Sequence, residues 1–117
     1  MKSEESNREE RSMSAANRKQ FTAISTFKVG NNMEEEVKQA FLSRPGFVES
    51  ADGFIGLDVL RPLDNLAEFW LITHWESREA FEYWHRHHKS ESHQGIPKGL
   101  KLVKRSFELR HFEHITD

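Results

Sequence analysis

A chain of 117 residues supports one domain around one core, and with 36% hydrophobic and 31% charged residues and nine Phe it has the composition of a globular, aromatic-rich protein, neither disordered nor membrane-spanning. The formal net charge of −2 argues against general nucleic-acid binding, which needs a basic surface. The absence of cysteine excludes disulfides, thiolate nucleophiles and iron–sulfur clusters, leaving His, carboxylates and water as metal ligands.

Residues 1–20 mix both charges and carry almost no large apolar side chains, so they read as a disordered tail ahead of a domain spanning 21–117. No stretch approaches the roughly 20 apolar residues of a membrane span, and no secretory h-region stands at the N-terminus. A cytoplasmic location with no membrane partner is the default expectation. Thr, Ile and Phe in near alternation predict a first strand over FTAISTFKV, ending at Gly30. Asn31 and Asn32 are candidate caps for a helix running to about Arg44, with Glu34, Glu35 and Glu36 at its positive end and Met33, Val37, Ala40 and Phe41 on its apolar stripe. After Pro45 and Gly46, the Asp52-Gly53 pair supplies a turn into a second strand, FIGLDVLRP, which should form a hairpin with AEFWLITHW. Ser77 is a candidate N-cap for a second helix carrying Phe81, Trp84 and His88 on one face and ending near Ser92. A loop with Gly95, Pro97 and Gly99 then leads to a fourth strand over KLVKRSFELRHFEHI, with Val103, Phe107 and Leu109 on one side.

The order β-α-β-β-α-β predicts an α+β, ferredoxin-like fold, an antiparallel four-stranded sheet with two helices on one face. Both sheet faces read as apolar. Phe69 and Leu71 alternate with Trp70 and Ile72, while Phe54 and Leu60 lie opposite Ile55, Leu57 and Val59. Two helices cannot cover both faces, so a two-fold homodimer is expected.

The segments DGFIGLDVLRP (Asp52 to Pro62), THWES (Thr73 to Ser77) and AFEYW (Ala80 to Trp84), in this order of elements, resemble the antibiotic biosynthesis monooxygenase superfamily over about Phe21 to Phe112. The resemblance implies a dimeric α+β barrel and is greatest to the IsdG-type haem-degrading branch. It implies haem as both substrate and cofactor, O2, and an external electron donor such as a reductase. By the family pattern, Trp84 lies beneath the porphyrin and His93, nine residues later, ligates the iron as metal ligand. The first-strand asparagine of that branch is replaced by Ser25, a shorter hydrogen-bond donor near the distal oxygen, and the proline of its turn motif by Asp52.

His93 can share a pocket with Trp84 only if the helix bends or ends between them, since nine helical steps of about 100° put the two on opposite sides. His88 shares the Trp84 face without a bend and is the alternative ligand for haem. His85, His87 and His88 are either a divalent-metal cluster or a solvated cluster, the latter favoured because consecutive helical residues fan outward. Trp75 and Trp70 read as packing, and His74 as a satisfied core or interface histidine. Beyond Trp84, Arg86, Lys89, Lys98, Lys101, Lys104, Arg105 and Arg110 outnumber Glu91, Glu108, Glu113 and Asp117, which suits a solvated basic face or a carboxylate-bearing ligand. Three functions are therefore compared: haem degradation, oxygenation of an aromatic small molecule with no cofactor, and ligand binding by a non-catalytic dimer.

Overall fold

The computed structural model describes residues 18–43, 51–92 and 96–116, with the side chains of 88–92 excepted. The elements are β1 (Phe21–Lys28), α1 (Glu34–Ser43), β2 (Phe54–Leu60), β3 (Glu68–Trp75), α2 (Arg78–Ser92) and β4 (Glu108–Glu113). They form one antiparallel sheet in the order β2-β3-β1-β4, the ferredoxin-like arrangement expected from the sequence. The expected tail, residues 1–20, lies outside the described residues as far as position 17.

Two aromatic cores hold the helices on one side of this sheet. Phe21, Ala23, Trp75 and Phe81 form the first, with Phe54, Ala80, Trp84 and Leu109 packed around it. Val29, Val37 and Phe69 form the second, joined by Phe27, Met33, Phe41 and Leu100. Thus α2 anchors at the start of β1 and α1 at its end. Ser77 caps α2 as expected, its Oγ accepting the Ala80 N–H at 3.1 Å. Gly53 is required twice over: its φ is 81°, and a Cβ there would lie 2.6 Å from the Ala80 Cβ, so the turn into β2 passes directly under the first turn of α2.

Three expectations are corrected. The asparagines do not cap α1: the Met33 carbonyl accepts from Val37 N–H at 3.0 Å, while the Asn31 amide donates to the Gly99 carbonyl at 2.8 Å and its Oδ1 accepts from Lys101 N–H at 3.2 Å. Asn31 thereby ties the loop before β4 to the end of β1, and Asn32 takes the left-handed φ of 63° that asparagine tolerates. The fourth strand is much shorter than 101–115. Residues 101–107 meet the end of β1 through the isolated Val29–Leu102 bridge, with Val103 N–H donating to the Lys28 carbonyl at 2.7 Å and Ser106 Oγ accepting from Lys28 N–H at 3.1 Å, and turn at Arg105, φ 64°, leaving Val103 and Phe107 exposed. The facing of β2 also changes, because a bulge between Phe54 and Gly56 absorbs Ile55 and turns Phe54 to the helix side, with Leu57 and Val59.

Candidate functional site

The helix-side face is built in rows across the strands. Phe21 and Trp75 belong to one end row, Phe27 and Phe69 to the row over the second core. Between these, Val59, Leu71, Ser25 and Leu109 stand side by side in register, and none of the four is buried. This middle row is the gap between the two helix-anchoring cores: apolar, half-covered, with one hydroxyl at its centre. Ser25 reaches it because odd-numbered β1 residues all face the helices. Its hydroxyl has no partner among the described residues, so it is available to a ligand.

Trp84 borders this side of the sheet. One α-helical turn beyond Phe81, it packs on the first core with its ring centroid 5.9 Å from that of Trp75, and it remains half-buried. Trp75 is 0% exposed, in keeping with a packing role. Its indole N–H donates to Thr73 Oγ1 at 2.9 Å, and the Thr73 hydroxyl donates to the Ala23 carbonyl at 3.4 Å.

Trp84 and Ser25 are thus brought to one face. His93 falls outside the described residues, as does the His88 side chain; α2 remains helical to Ser92. The neighbouring histidines are committed to aromatic rings on different stripes of α2. His85 stacks on Phe81 at 5.4 Å, whereas His87 stacks on Tyr83 at 4.2 Å and its Nδ1–H donates to the Tyr83 carbonyl at 2.9 Å. Among the described residues no group of three or more His, Cys, Asp or Glu is arranged to hold a metal ion.

His111 was not singled out by sequence reasoning. It lies on the helix side of β4, its ring 5.2 Å from Phe21 and 5.3 Å from Phe81. Its parity with Leu109 was the available signal.

The opposite face carries Ile24, Trp70, Ile72 and Phe112, and neither helix packs there. His74 is satisfied on this face. Its Nε2–H donates to the Asp58 carboxylate at 3.3 Å, its Nδ1 is hydrogen-bonded to the Thr22 hydroxyl at 2.9 Å, and the same hydroxyl is hydrogen-bonded to His114 Nε2. Trp70 donates its indole N–H to Glu68. No helix among the described residues is long and apolar enough to cross a membrane.

A flat macrocycle with an apolar face and a central metal needs a slot of this kind: hydrocarbon walls, an aromatic plate and few polar groups. On the helix side the middle row supplies an apolar surface with one hydroxyl, and Trp84 an aromatic plate beside it.

Residues 20–96 match the sequence profile of the family described as antibiotic biosynthesis monooxygenase. A haem oxygenase (mycobilin-producing) from Mycobacterium tuberculosis is 33% identical over 94 residues, covering 80% of this chain and 88% of that protein. Among solved structures, the haem-degrader MhuD of M. tuberculosis with two haems bound in its active site superposes with a TM-score of 0.69 at 29% identity, covering 83% of this chain and 97% of the other. An antibiotic biosynthesis monooxygenase of Bacillus cereus, so described provisionally, gives a TM-score of 0.61 at 27% identity, with 83% and 92% covered.

Proposed function

This chain belongs to the antibiotic biosynthesis monooxygenase family, and from that premise we propose that it is a monooxygenase that binds haem and degrades it with O2 and electrons from an external donor. The observation that carries the reading is the half-covered row Val59, Leu71, Ser25 and Leu109 between two closed cores, with the Trp84 indole on the same side. The likeness to a haem oxygenase over most of both chains supports it.

Haem, when bound, supplies the iron that activates oxygen and is itself the molecule consumed. The chain's own residues bind and orient it. His93 would hold the iron, with His88 the alternative; Trp84 would press on the porphyrin face and bend the macrocycle, one of the levers a protein has on haem. Ser25 would donate its hydroxyl hydrogen bond to the oxygen side, and Leu71, Val59 and Leu109 would keep bulk water from the slot. The open sheet face, with Trp70, Ile72 and Ile24, would close against a second copy, giving a homodimer.

The test is an absorbance titration of the apo-protein with haem, run on wild type, His93→Ala and His88→Ala. A saturable Soret band that weakens in His93→Ala supports the reading and the choice of ligand. Weakening only in His88→Ala would move the ligand to His88. No saturable band in the wild type would overturn haem binding and leave oxygenation without a cofactor as the next reading within the family.

A further inference from the structure

We propose that Thr73 and Trp75 act as a positioning pair that sets the tilt of the Trp84 indole, and through it the shape imposed on the ligand in the slot. The inference rests on the haem reading above but concerns two residues behind the site, neither of which faces the ligand.

Trp84 is held by packing. Among the described residues its indole N–H has no hydrogen-bond partner, and its one ring contact is with Trp75, at 5.9 Å and 40°. A planar side chain with no polar anchor takes its orientation from the surface it packs on. That surface is unusually constrained. The Trp75 ring meets Phe54 at 5.5 Å and 81° and Phe81 at 5.7 Å and 72°, so two phenylalanines bear on it in T-shaped contacts and oppose its translation. Rotation in its own plane is fixed by the 2.9 Å hydrogen bond from its N–H to Thr73 Oγ1. Thr73 is fixed in turn, donating to the Ala23 carbonyl on the adjacent strand. The chain Ala23, Thr73, Trp75, Trp84 therefore runs from the backbone of the central strand to the exposed edge of the candidate site. A threonine two residues before a tryptophan on one strand face is well suited to this, since both side chains lie on the same side of the pleat.

Two substitutions at Thr73 separate orientation from mere core filling. Replacing Thr73 by Val keeps the shape and removes the hydroxyl, so Trp75 loses its in-plane anchor while the core stays full. Replacing Thr73 by Ser keeps the hydroxyl and so should rescue. The experiment uses a Trp70→Phe background, because Trp70 lies on the opposite face and its removal leaves only the Trp75–Trp84 pair as an indole chromophore. The far-ultraviolet circular dichroism of the apo-protein, where the strong indole transitions couple, then reads the coupling between the two rings, and haem titration followed by ascorbate in air reads the consequence.

The expected result is a couplet that diminishes or inverts in Thr73→Val and is retained in Thr73→Ser. With haem, Thr73→Val should shift the Soret and visible bands and slow bleaching by about tenfold, while haem affinity stays within about threefold of wild type. A wild-type couplet in Thr73→Val overturns the proposal, and so does an altered couplet with an unchanged haem spectrum and rate. Should Thr73→Val fail to fold, Trp75→Phe, which keeps an aromatic ring without the N–H but leaves a single indole, is judged by the haem spectrum and bleaching rate alone: a shift with slowed bleaching supports the proposal, and wild-type values overturn it. If the parent protein shows no Soret band, the haem reading fails, and the apo-protein couplet still decides whether Thr73 orients the pair.

Discussion

Ser25 has an oxygen where its relatives' resemblance leads one to expect a longer amide, and its half-buried hydroxyl lies between Leu71 and Leu109 with no partner among the described residues. Under the proposed function, a hydrogen bond from this hydroxyl to the reacting oxygen would matter more in turnover than in binding. Ser25→Ala should lower the rate of haem loss by roughly tenfold or more with affinity little changed, read by single-turnover absorbance kinetics. Ser25→Asn should retain turnover, because the side chain keeps a donor and gains reach. At Trp84 the proposed contribution is contact area, so Trp84→Ala should weaken haem binding by about tenfold and Trp84→Phe by less, measured by the same titration. Equal affinity in Trp84→Ala and wild type would remove the indole from the site.

Among the elements, α2 carries Trp84, and its start is fixed by two local devices. Ser77→Ala removes the cap on Ala80 N–H and should destabilise by about 1 kcal/mol in chemical denaturation. Gly53→Ala should cost more, about 2 kcal/mol or above, because it combines a positive φ with a 2.6 Å approach to the Ala80 Cβ. The reverse ranking would mean that the turn and the helix are not in contact in solution. Element type and order were legible because period and punctuation agreed: Ser77 before a 3.6-residue stripe, Asp52-Gly53 before an apolar run. What escaped was chemistry that depends on partners distant in sequence. The bulge at Ile55 is a matter of pairing with β3, invisible in the alternation of FIGLDVL. Asn31 reads as a cap locally but is captured by Gly99 and Lys101, some 70 positions away. The apolar letters of LVKRSF suggested a strand, yet Arg105 turns the chain first. At the candidate site, the helix-side placement of Trp84 beside Phe81 was legible from the helical spacing of AFEYW; the open middle row around Ser25 was not, because it arises from two cores that leave it uncovered.

For the molecule as a whole, the side of the sheet without helices presents Ile24, Trp70 and Ile72 around the Thr22, His74 and Asp58 hydrogen bonds. Burying that face against a second copy predicts a dimer at micromolar concentration. Ile72→Lys, at its centre, should raise the dimer dissociation constant by about a hundredfold or more while leaving the helix-side cores intact, because a buried unpaired charge is not tolerated at an interface centre. Sedimentation equilibrium checks this directly, and a monomeric wild type would contradict it.

The central claim is that the slot degrades the haem it holds. Haem-loaded wild type, given ascorbate in air with catalase present, should lose its Soret band and release iron to a ferrous chelator in about one equivalent per haem, as follows from a reaction that opens the macrocycle. A Soret band that persists, with no iron released, would make the protein a haem binder and contradict the account.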